Sequence, residues 1–138
     1  MLKEPLALIG MSCRLPGGDG LDEFWNLVVQ GATAWGSLPA DSLNRDLYFA
    51  PDKGTVGKSY SELGGLVSGR SVDQSVCPLT AEQANHYDIA HQVFLEVASR
   101  ACRDAGLDPF AMPKDSKTGV YVGHTGGSAR VGDYVYST

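Results

Sequence analysis

From Asp88 to Ala105 the chain reads DIAHQVFLEVASRACRDA. Its apolar residues Ile89, Val93, Phe94, Val97, Ala98, Ala101 and Cys102 recur at intervals of three and four. That period marks one face of an α-helix. Asp88 is placed to cap its start, Gly106 suits the left-handed position that closes a helix, and Pro109 blocks any continuation. A helix with one apolar face needs a second layer to cover it, so this stretch commits the chain to a layered fold.

The partners of that layer are legible on either side. Residues 5 to 11, PLALIGM, and 118 to 124, TGVYVGH, are apolar without alternation, the pattern of strands covered on both faces in a parallel sheet. LDEFWNLVVQG predicts a helix, with Leu21, Phe24, Trp25 and Val28 at helical spacing, Asp22 and Glu23 in its first turn and Gly31 at its stop. PLTAEQANHY opens a further helical stretch, with Thr80 and Gln83 spaced as a capping box. Between Ala32 and Leu79 the chain is rich in Gly, Ser, Asp and Pro, and short strands are expected only near Tyr60 and at Leu66–Val67. Strand, helix, irregular excursion, helix, strand is the order of an α/β layered fold with a parallel pair. Two good strands are few for so many helices, and the sheet is expected to be incomplete.

Composition narrows the function classes. With 43% hydrophobic and 20% charged residues the chain is globular rather than disordered. The net charge of -5 with scattered basic residues argues against a nucleic-acid partner. No apolar run is long enough for a membrane span or a secretory signal, so no membrane partner is expected. The three cysteines, Cys13, Cys77 and Cys102, lack the close pairs of a disulfide framework or zinc site, which suggests a reducing, cytoplasmic setting.

Several motifs invite chemistry. Gly57-Lys58-Ser59 matches the end of a phosphate-binding loop, but Asp52 stands where the first glycine belongs and a Gly-Gly pair follows where a helix should start. Cys13, in GMSCRLPGG, leaves an expected strand next to Arg14, a cation able to activate a thiol. A Pro-Gly-Gly turn rather than a helix follows it, and the commoner role of a small buried residue is preferred. Cys102 belongs to the apolar stripe. His86, His91 and His124 have no metal spacing; His91 falls on the polar side of the long helix, and His124 enters a glycine-rich turn. The residues by themselves give an α/β domain without an evident catalytic, cofactor or metal site.

Taken in order, LALIGMSCRLPGG, LDEFWNLVVQG, GKSYSELGGLV, LEVASRACRDAGLDP and KTGVYVGHTGG resemble the N-terminal part of a β-ketoacyl synthase. The resemblance covers nearly the whole chain and is strongest to ketosynthase domains of type I polyketide and polyunsaturated-fatty-acid synthases. DKGTVGKSYSELGGLV and VGHTGGS point towards the iterative branch. Two departures stand out. Asp88-Ile89-Ala90-His91-Gln92 replaces a common Asp-Pro-Gln-Gln-Arg, and SVCPLTAEQ replaces a Phe-Phe-Gly-Ile-Ser-Pro approach.

The resemblance implies a thiolase-like layered fold, present here incompletely as the N-terminal part of its first half, with residues 1–138 forming one partial ketosynthase domain. It implies a parent that is an acyltransferase, normally a homodimer, working with phosphopantetheine-linked acyl carrier protein and with no directly bound cofactor. In the family's decarboxylative Claisen condensation, a cysteine thiolate takes an acyl group and releases the carrier thiol. Malonyl then loses CO₂, and its carbanion attacks the acyl thioester and expels the cysteine, while two histidines stabilise the thioester oxygen. The family's nucleophile and histidines lie in blocks absent here, so no catalytic role passes to Cys13, Cys77, Cys102 or His124. The expectation is an inactive N-terminal fragment of a polyketide or fatty-acid synthase. The alternative is a non-catalytic scaffold that binds a carrier protein or a complementary chain.

Overall fold

The computed structural model describes residues 5–67, 72–76, 79–113 and 117–123. They fall in two units, Cys13–Ser68 in one and Met1–Ser12 with Gly69–Thr138 in the other.

In the first unit, a turn closed by reciprocal bonds between Leu15 and Gly18, 2.8 and 3.0 Å, leads into α1, Leu21–Gln30. Asp22 and Glu23 occupy its first turn as the helix dipole favours. At its end Gly31 takes φ 60°, its N–H donates to Val28 O, and the Ala32 N–H donates to Leu27 O. This paired return is the Schellman stop, which glycine adopts without Cβ strain. β1, Gly36–Ser37, pairs antiparallel with β2, Leu63–Gly64. Between them lies α2, Arg45–Tyr48, capped by the Asn44 side chain, which accepts from Leu47 N at 3.3 Å. So short a ladder is marginal alone, and a polar clasp supports it. Arg45 reaches Glu62 through Nε at 2.5 Å and Leu38 O through Nη2 at 2.7 Å, while Ser37 Oγ donates to the other Glu62 oxygen at 3.2 Å.

In the second unit, α3 is Ala81–His86 and α4 is Ile89–Asp104. The capping box forms as the spacing predicts: Gln83 N donates to Thr80 Oγ1 at 3.1 Å and Thr80 N to the Gln83 side chain at 2.9 Å. Asp88 accepts from Ala90 N at 2.8 Å, and Gln92 Nε2 ties the two helices by donating to Ala84 O and Tyr87 O. Gly106, at φ 72°, closes α4. Gly10 and Met11 pass the C-terminal end of this helix, where Met11 N donates to Asp104 at 2.8 Å. A Cβ on Gly10 would stand 2.3 Å from Ala101 O, so the approach is possible only for glycine.

Three expectations are corrected. Residues 5–11 and 118–123 form no ladder among the described residues, where only the β1–β2 pair and the Leu15–Gly18 and Phe49–Ser59 bridges occur, and His124 lies outside them. A strand is defined by a hydrogen-bonded neighbour, and these stretches find none among the described residues; Leu6 is 95% and Tyr121 96% exposed. In the excursion, Ser59, beside Tyr60, is bridged to Phe49 as expected near Tyr60, whereas the ladder falls at Leu63–Gly64 rather than at Leu66–Val67. The stripe on α4 is not its most buried face either: Phe94 and Ile89 are exposed, and the buried residues of the helix are Glu96 and Ser99.

Candidate functional site

Cys13 is half-buried, and its thiol donates to Gly20 O at 3.3 Å. A carbonyl accepts from a thiol and repels a thiolate, so this partner suits a packed cysteine rather than a nucleophile. Arg14 turns to Asp19, its Nε 3.5 Å from the carboxylate, with only 4% of its side chain exposed. The cation that the sequence offered as an activator is thus committed to an acid on the adjacent turn. Cys102, expected in the core from its place in the stripe, is only half-buried on α4. Cys77 and His124 lie outside the described residues.

The Gly57-Lys58-Ser59 stretch is a loop closed by a parallel bridge, not a phosphate cradle. Gly54 and Gly57 take φ 92° and 73°, Ser59 pairs with Phe49, and no helix begins at Lys58. Lys58 Nζ donates to Leu47 O, and Lys53 sits over the Tyr60 ring at 4.8 Å. Both cations staple the loop, and without a helix N-terminus behind them they lack the partner a phosphate site requires.

His86 donates through Nδ1 to Glu82 O one turn back at 2.7 Å, and His91 is exposed on α4. Shallow depressions among the described residues include one of about 380 Å³ lined by Ala40, Leu43, Asn44, Arg45 and Asp46, and one of about 220 Å³ lined by Glu82, Gln83, His86 and Tyr87. Neither brings a nucleophile to a base. Among the described residues no three His, Cys, Asp or Glu side chains gather as metal ligands. No helix there is long and apolar enough to cross a membrane.

The carboxylates of Glu62 and Asp73 are perturbed. The hydrogen bond from Arg45 leads in holding Glu62 below its ordinary 4.5, with the Arg45 charge and Ser37 assisting. Side-chain and backbone hydrogen bonds from Ser75 hold Asp73 below 3.8, with a smaller contribution from the Arg100 charge. Both groups are kept ionised, which suits structural anchors; an acid–base catalyst is tuned towards neutrality. Sequence reasoning did not find the Arg45–Glu62 clasp or the buried Glu96. The one available signal was Asn44, a cap ahead of a short helix.

Among the described residues none of these candidates stands beside a partner that would activate it, and the order of the blocks carries the assignment. Residues 3–137 match the family described as beta-ketoacyl synthase, N-terminal domain. The chain belongs to that family. It is 40% identical over 124 residues to polyketide synthase GfsB of Streptomyces halstedii, covering 87% of this chain and 2% of that protein. It is 35% identical over 128 residues to erythronolide synthase EryA2 of Saccharopolyspora erythraea, covering 91% of this chain and 4% of the other. Highly reducing polyketide synthase poxF of Penicillium oxalicum is 34% identical over 86% of this chain and 5% of its own length. Among solved structures, the oxazolomycin ketosynthase domain OzmH KS7 of Streptomyces albus JA3453 superposes with a TM-score of 0.63 at 26% identity, over 70% of this chain and 17% of that one. The fold is therefore that of a thiolase-like ketosynthase, present in part. The chain spans only a few hundredths of the length of these curated relatives.

Proposed function

We propose that these residues form the N-terminal part of a ketosynthase domain in a polyketide synthase that extends acyl chains by decarboxylative Claisen condensation on acyl carrier protein. The observation that carries this reading is the family match across residues 3–137. The exposure pattern supports it: Leu6, Leu8 and Ile9 in one apolar segment, and Val120, Tyr121 and Val122 in another, are all more than half exposed. Contiguous apolar chain of this kind normally lies against protein. In this proposal the remainder of the ketosynthase covers it and supplies the cysteine nucleophile and the two histidines, and the parent works as a dimer.

The reading is tested by carrier-protein loading and malonyl decarboxylation with the purified 138-residue chain. The expected result is no turnover, because the family's nucleophile lies in a block that this reading places in the remainder of the ketosynthase. Turnover that disappears in Cys13→Ala would overturn the assignment. A second check is hydrodynamic: the chain alone should associate through its uncovered apolar segments, and a monodisperse monomer with a sharp cooperative melt would count against it.

A further inference from the structure

We draw no further inference here: the strongest candidate, the exposed apolar face of α1 formed by Trp25, Val28 and Val29, carries nothing because nothing among the described residues shows what covers it.

Discussion

α1 and α4 obey the same local grammar and end in different circumstances. Both carry an apolar stripe at helical spacing, and both stop at a left-handed glycine, Gly31 and Gly106. Yet α1 has no buried residue at all, with Trp25 at 63% and Val29 at 66% exposure, whereas α4 buries Glu96 and Ser99 on its polar side. Helix ends are set by neighbours within four residues. The face a helix buries is set by whatever chain lies across it, and that need not be the apolar one. Among the described residues, α4 is met by residues 10 and 11 at its C-terminal end, by residues 72–76, and by α3 through Gln92.

The comparison can be broken most forcefully at Arg100. Arg100→Ala removes the cation beside a fully buried carboxylate and should destabilise α4 by about 3 kcal/mol, the lower end for breaking a buried pair because Arg100 is itself 26% exposed. Hydrogen exchange at the α4 amides measures it, and an effect within the scatter of surface substitutions would contradict the buried role of Glu96. Next comes Gly10→Ala, whose methyl would collide with the backbone oxygen of Ala101. Overpacking of this kind costs roughly 1–3 kcal/mol, readable as lost protection of the Met11 amide bound to Asp104.

A cap substitution sharpens the contrast further. Asp88→Ala should cost α4 about 1 kcal/mol in helix stability by the same exchange measurement, because the Asp88 carboxylate satisfies Ala90 N. α1 has no such side-chain cap at Gly20 to lose. Smallest is Trp25→Ser on α1. With that ring largely in water, the isolated chain should change by no more than about 0.5 kcal/mol. A large loss would mean that the face of α1 is covered after all.

Acid probes the clasp beside β1 and β2. Because Arg45 holds Glu62 below 4.5 in the folded chain, the clasp contributes stability that is fully present above that value and is lost as pH falls through the depressed folded value. The Glu62 carboxyl resonance should titrate with a midpoint under 4.5 and move back up in Arg45→Ala. An unchanged midpoint in that variant would exclude the clasp as the cause.

Legibility followed the range of the interaction. Caps and stops at Thr80, Gln83, Asp88, Gly31 and Gly106 depend on residues a few positions apart, and the structure shows each where the spacing placed it. The apolar segments 5–11 and 118–124 were legible as strand-like but not as paired, because pairing depends on distant chain. The burial of Glu96 was hidden for the same reason: its partner Asp73 lies 23 positions away in a stretch without periodicity. For the site, the bland readings of Cys13 and of the Gly57-Lys58-Ser59 loop were reachable from their immediate context, the Pro-Gly-Gly turn and the helix-breaking Gly64-Gly65. The family was legible only from the order of five blocks, since no single block is diagnostic by itself.

The central claim, that no thiol in these residues is a condensing nucleophile, is tested most directly by intact-mass spectrometry after incubation with an acyl thioester. The account expects Cys13, Cys77 and Cys102 to remain unacylated in the folded chain. A stoichiometric acyl adduct on any of them, lost when that cysteine is replaced by serine, would contradict it.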